Sequence, residues 1–418
     1  MKQFLLLLSL ALAIFSVQGQ STKKVLFIGN SYTAVNNLPL MVSNMANSTG
    51  DELIYDSNSP GGYRFMNHAS DPTTLAKINS NNWDYVVLQA QSQETSLSEA
   101  QMQAEVYPYA ESLSNAIRTN NECSQPLFYM TWGRENGDPV NCADLPWVCT
   151  YEGMDDVIRA TYIFMSDSND AELAPAGAVW RYIRENHPSI NLYSPDESHP
   201  SMAGSYAVAC AFYAMIYKKD PTSIPWNSTL NEPDANLIKM AAKNIVYDVI
   251  STWDFTQKPI ADFSETINGG TVSFTNTSTD FDTIFWEFGD GNTSTEVNPT
   301  HTYFENGIYT VSQTIGKCGK SDTKIKTVEI QTLNKQIFNQ ESFSIYPNPA
   351  HNILNLKLKK NYKNIQIIIL NLSGKTVFNQ SVENVSDFTM DISSLSKGLY
   401  LIKIAWDNIF YIEKMIKN

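Results

Sequence analysis

The 418-residue sequence carries 29 lysines and arginines against 43 aspartates and glutamates, a formal net charge of −14, and 43% of its residues are hydrophobic. That apolar share excludes wholesale disorder, and the length calls for two or three domains, each with its own core. The acidic balance contains no basic run, so no nucleic-acid partner is expected; a phosphate backbone is held by clustered Lys and Arg.

In chain order, Met1-Lys2 precede an apolar run from Phe4 to Phe15, and Val17-Gln18-Gly19 offer a cleavage point ahead of Gln20. This pattern predicts a removed secretory signal over residues 1–19. The run is shorter than the roughly 18 to 20 residues needed to cross a bilayer, and no later segment is longer and uncharged, so no membrane span is expected.

From Lys23 to about Trp253, short apolar runs alternate with longer amphipathic stretches. Lys24 to Ile28, Glu52 to Tyr55, Tyr85 to Leu88 and Leu127 to Met130 read as buried strands, with Leu173-Ala174 as the stub of a fifth. Leu38 to Ser48, Ser98 to Arg118, Met154 to Met165, Gly177 to Asn186 and Met202 to Tyr217 have helical spacing. Strands alternating with helices imply right-handed crossovers and an α/β, doubly wound parallel sheet, with the ligand crevice beyond the carboxyl ends of the strands. After Trp253 the chain turns rich in Thr, Ser, Asn and Gly with period-2 strands, predicting two small all-β sandwiches over 259–330 and 343–418, joined by a polar linker over 331–342.

Five cysteines without a Cys-x-x-Cys spacing speak against a structural zinc site. Cys142 and Cys149 flank a Pro-containing loop and can pair in an oxidising compartment. Cys123 and Cys210 could form a second bridge, but Cys210 falls in an apolar helical run and reads better as a small buried hydrophobe.

Two segments carry the residue types of nucleophilic catalysis. The first strand runs into Gly29-Asn30-Ser31-Tyr32-Thr33, where a serine on a strand-to-helix turn exposes its hydroxyl beside the helix N-terminus. Ser194-Pro195-Asp196-Glu197-Ser198-His199-Pro200 follows the last strand; Asp196, three residues before His199, can hold Nδ1–H while Nε2 faces a nucleophile. A serine nucleophile also needs oxyanion donors. Gly61-Gly62 after the second strand can bring a backbone N–H close, and Gln89-Ala90-Gln91-Ser92-Gln93 after the third can supply a side-chain amide.

Taken in this order, Gly29-Asn30-Ser31-Tyr32, the glycines after strand two, an amide after strand three and Asp196-x-x-His199 resemble the SGNH (GDSL-like) hydrolases over residues 23–254. The resemblance implies a flavodoxin-like sheet, Ser31 as nucleophile, His199 as base and Asp196 as its orienter. It implies an oxyanion hole from the N–H groups of Ser31 and Gly62 (or Gly61) and from Gln91, which stands where the family has the Asn of Gly-x-Asn-Asp; Gln89 and Gln93 are alternatives for that amide. Gly61, Tyr32, Tyr63, Gln89 and Trp132, with Arg64, are expected to line the substrate crevice, and Leu38-Pro39-Leu40-Met41 to border an acyl pocket. Such a mechanism requires neither metal nor organic cofactor.

Downstream, Trp286-Glu287-Phe288-Gly289-Asp290-Gly291 and Pro299-Thr300-His301-Thr302-Tyr303 resemble a PKD domain, with His301 structural. Tyr346-Pro347-Asn348-Pro349, Gly398-Leu399-Tyr400 and the basic end Lys414 to Asn418 resemble the C-terminal sorting domain of type IX secretion. The resemblance implies the secretion machinery as a partner and passage across the outer membrane. The expected activity is an exported serine esterase acting on acylated carbohydrate or another ester; the other readings are an inactive carbohydrate-binding or adhesion protein and a lipase-like esterase.

Overall fold

The computed structural model describes residues 20–331, 343–362, 364–406 and 409–418. The expected signal segment, and the linker beyond residue 331, lie outside the described residues. The chain divides into two compact units at Lys258 and Pro259.

The first unit is built on five parallel strands, β1 (Thr22–Ile28), β2 (Glu52–Asn58), β3 (Tyr85–Leu88), β4 (Gln125–Tyr129) and β5 (Glu172–Ala174), in the order β2-β1-β3-β4-β5. This is the flavodoxin-like order. The strand sequence reverses between β1 and β3, so the crevice opens beyond Ile28 and Leu88. Val25 to Ile28, Val86 to Leu88 and Leu127 to Tyr129 are fully buried because helices cover both faces, which is why they read as unbroken apolar runs.

Helices α1 (Ser31–Ala34), α2 (Leu38–Ser48), α3 (Phe65–Ser70), α4 (Pro72–Ile78), α5 (Glu99–Glu105), α6 (Tyr107–Asn120), α7 (Tyr151–Ser168), α8 (Ala176–Asn186), α9 (Met202–Tyr217) and α10 (Glu232–Ile245) connect and flank the strands. Both α2 and α9 have the bounds expected from spacing. The helix expected over Ser98 to Arg118 is instead two, broken at Val106, because Pro108 lacks an N–H and fits only in the first turn of α6. Helices α3 and α4 are too short to show a period. For α10 the start signal was present as Asn231 followed by Glu232-Pro233; the Asn231 side chain accepts the N–H of Asp234.

Cys142 and Cys149 form a disulfide. Cys210 does not pair with Cys123: it is a free, fully buried thiol inside α9, beside the Tyr206 hydroxyl. No helix among the described residues is long and apolar enough to cross a membrane.

In the second unit, residues 259–331 form a three-stranded and a four-stranded antiparallel sheet around Phe263, Phe274, Trp286, Phe288 and Tyr303. Gly289 and Gly291 take φ of 82° and 89°, the left-handed conformation that this turn needs. His301 stacks on Phe288 at 4.3 Å and its Nε2 lies 2.7 Å from Asp290 Oδ2, a structural pairing. From Phe343 onward a second pair of antiparallel sheets encloses its own core, including Leu356, Ile367, Ile402 and Ile404.

Candidate active site

The turn after β1 is braced from within. Asn30 caps α1, its Oδ1 accepting the Tyr32 N–H at 3.2 Å while its Nδ2 donates to the Tyr63 carbonyl at 3.0 Å. Gln89 Oε1 accepts from Asn30 N–H at 2.9 Å and from Thr33 Oγ1 at 3.0 Å, and Gln89 Nε2 donates to Asn30 Oδ1 at 2.9 Å and to the Ala90 carbonyl. Gly29 leaves room for this arrangement: a Cβ there would stand 2.6 Å from Gln89 Oε1 and 2.4 Å from Thr33 Oγ1. His68 Nε2 donates to the Gly29 carbonyl at 2.8 Å, and burial lowers the His68 pKa, favouring the neutral ring. The sequence placed Gln89 in the substrate crevice; it is instead fully buried, with both ends of its amide engaged in holding the turn.

On this turn Ser31 is half-buried, and its hydroxyl lies 2.8 Å from His199 Nε2. Its own N–H is the first of α1, one of those that have no acceptor within a helix. Asp196 Oδ2 accepts from His199 Nδ1–H, and its Oδ1 accepts the N–H groups of Ser198 at 3.2 Å and His199 at 3.0 Å. Partial burial opposes the charge, but these hydrogen bonds outweigh it and hold the Asp196 carboxyl below its ordinary pKa.

An aromatic stack supports the histidine loop. Tyr32 lies flat on Trp132 at 4.9 Å and edge-on to His199 at 5.2 Å, and its hydroxyl meets Ser198 Oγ at 2.6 Å. Trp132 in turn stacks on Trp180 at 3.7 Å and donates Nε1–H to the Ser198 carbonyl at 3.2 Å. Tyr32 and Trp132 were expected to line the crevice. They are 2% and 0% exposed, because large rings with one polar tip are best spent under a loop whose backbone takes that tip.

The expected oxyanion segments behave differently from each other. Gly61 and Gly62 are exposed with open space around them, Gly62 at φ 73°, and the turn closes through Tyr63 N–H to the Pro60 carbonyl at 3.3 Å. Tyr63 is half-buried against His68 at 5.1 Å. Gln91 folds back on its own loop: Oε1 accepts the N–H groups of Gln93 at 2.8 Å and Glu94 at 3.2 Å, and Nε2 donates to Ser92 Oγ at 3.2 Å. Gln93 Nε2 donates to Asp138 at 2.6 Å. In the stretch expected to border an acyl pocket, Leu38, Pro39 and Met41 are buried and Leu40 is the side chain open to solvent.

Glu94 has no place in the sequence reading, where it is one more acid in a polar stretch. In the fold it is buried between the two segments, its carboxylate accepting the N–H groups of Gln91 at 3.0 Å and Phe65 at 3.4 Å.

Comparison with known proteins bears most directly on the second unit. Residues 256–331 match the family model of the PKD domain, and residues 344–418 match that of the secretion system C-terminal sorting domain. The chain therefore ends in a PKD domain and a sorting domain. The sorting domain is the address for type IX export, to the cell surface or beyond. Over 81 residues the chain is 40% identical to the pre-pro-metalloprotease PrtV of Vibrio cholerae, a match spanning 18% of this chain and 9% of that relative's length. Among solved structures it is similar to a protein from Slackia heliotrinireducens taken to be an SGNH hydrolase, at 24% identity, covering 46% of this chain and 98% of that one with a TM-score of 0.39. A DUF4886 family protein from Bacteroides uniformis is similar at 16% identity, covering 57% and 98%, with a TM-score of 0.48. Ser31, Asp196 and His199 all belong to the first unit.

Proposed function

We propose that the first unit is an exported serine esterase of the SGNH type that hydrolyses carboxylic esters, with acyl groups on complex carbohydrate as its substrates. The observation that carries this reading is the continuous chain from Ser31 Oγ to His199 Nε2 and from His199 Nδ1 to Asp196. His199 takes the Ser31 proton as Oγ attacks the ester carbonyl, and Asp196 keeps the ring in the tautomer whose Nε2 is free to accept it. The oxyanion is held by the Ser31 and Gly62 N–H groups. His199 then returns the proton to the departing alcohol, and water, activated the same way, releases the acyl group from Ser31. Carbohydrate as the acyl carrier is supported by the company of a PKD domain and an export address rather than by a pocket residue.

The test is hydrolysis of p-nitrophenyl acetate and acetylated xylan by the full chain beside Ser31→Ala and His199→Ala. Both substrates should be cleaved, with each variant slower by about 10³-fold or more. Cleavage of the small ester alone withdraws the carbohydrate assignment. Inactivity of a folded protein that also resists a serine-directed phosphonate favours a second reading, binding without catalysis. That reading is suggested by one observation, the Gln91 amide turned onto its own loop.

A further inference from the structure

We propose that Glu94 is a positioning residue that fastens the 61–64 turn to the Gln91 loop and so holds the oxyanion-donor backbone in place; this rests on the esterase reading of the same site. Glu94 begins a short 3-10 turn after β3, and its side chain is wholly shielded from solvent. One carboxylate oxygen, Oε2, accepts from Gln91 N–H on its own loop and from Phe65 N–H, the first residue of α3. The other, Oε1, faces Arg64 Nε at 3.4 Å, and Arg64 Nη2 reaches on to Glu105 of α5 at 3.0 Å. Gln91 Oε1 accepts the Glu94 N–H in return, closing a reciprocal pair. The Gly61-Gly62 backbone is thus anchored, through Arg64 and Phe65, to the loop that follows β3.

A neutral side chain of the same size would fill this space without a buried charge. A carboxylate can accept from two loops with one oxygen and pair with Arg64 through the other. Burial is the main influence on Glu94 and pushes its carboxyl up to about 7, against the hydrogen bond from Gln91 and the charge of Arg64. The titratable and charged groups facing it are Arg64 ahead of α3 and Tyr162 on α7, with Glu105 behind Arg64; burial keeps the Tyr162 phenol neutral. A carboxyl raised by burial binds its proton more tightly in the buried, fastened arrangement than when solvated, so the fastening is firmest below its ordinary pKa and weakens as pH rises through about 7.

The experiment measures kcat and KM for p-nitrophenyl acetate against pH in the wild type, Glu94→Gln and Arg64→Gln, with Ser31→Ala as blank. It also measures amide hydrogen-exchange protection in peptides covering Phe65 and Gln91. In the wild type, kcat should change with pH through a step near 7 that Glu94→Gln lacks. Glu94→Gln should lower kcat by about 10- to 100-fold with KM little changed, because misplacing a donor by even 1 Å is costly in the transition state. Arg64→Gln should move that step to higher pH, since Arg64 favours the ionised carboxyl. Protection at both amides should be higher in the wild type than in Glu94→Gln, and that difference should shrink as pH rises through about 7. A Glu94→Gln variant with wild-type kcat, pH profile and protection overturns the proposal. Absence of any Ser31-dependent activity defeats the esterase reading instead, and the exchange data then decide alone whether Glu94 fastens the two segments.

Discussion

His199 Nε2 stands 2.8 Å from Ser31 Oγ although 168 residues separate them in the chain. The sheet order makes this meeting possible: Ser31 follows the strand at the switch point, and the loop after the last helical crossover returns across the same crevice. Ser31→Ala and His199→Ala should each remove ester hydrolysis. Asp196→Asn should cost less, about 10²-fold, because the carboxylate is half exposed and water can take part of its place. Asp196 titrates below the ordinary carboxylate range, so its contribution is present at neutral pH and lost only as pH falls through that low value. An Asp196→Asn variant with unchanged kcat at pH 7.5 would remove it from the site.

Gln91→Ala separates the two accounts of the oxyanion hole. With its amide engaged on its own loop, truncation should leave kcat within about 3-fold and cost about 1 kcal/mol of stability for the two N–H groups it accepts. A loss of 100-fold or more in kcat would instead mean that the amide turns toward the substrate during turnover.

Gly29→Ala should destabilise the first unit by about 2 kcal/mol, because the new methyl collides with Gln89 and Thr33 where the turn has no slack. The denaturation midpoint in urea reads the cost. Activity should fall with it, since Gln89 holds Asn30, which caps the helix that begins at Ser31.

Stability should also respond to Asp155 on α7, which accepts Gly133 N–H at 3.1 Å and pairs with Arg181 at 2.8 Å. Burial outweighs that pairing and pushes its carboxyl up to about 6. A raised carboxyl contributes stability that is complete below its ordinary pKa and lost as pH rises through the folded value. The stability of the wild type relative to Asp155→Asn should therefore decline between about pH 4 and 7, by on the order of 2 kcal/mol. Urea unfolding of both proteins across that interval checks it, and a difference that grows with pH contradicts it.

Local chemistry was legible wherever it is written in adjacent residues. The apolar runs of β1, β3 and β4, the α2 and α9 spacing, the Gly29-Asn30-Ser31 turn and the Asp196 to His199 interval all depend on neighbours in the chain, and periodicity or spacing exposes them. The Ser98 to Arg118 helix was misread because the apolar period continues through Pro108 even though the backbone cannot.

What the sequence by itself determined is the alternation of strand and helix, the change of character after Trp253 and the residue types able to support a serine nucleophile. Tertiary structure alone decided which polar side chains face the crevice and which the core. Gln89 and Gln91 are the same amino acid two positions apart on one loop, yet one lies sealed beneath the Ser31 turn and the other half-covers the loop it caps. Glu94, unremarked in the sequence, became a junction between two segments 29 residues apart. The reason is physical. A polar group's role is set by the partners that remain once water is removed, and those partners come from other strands of the sheet.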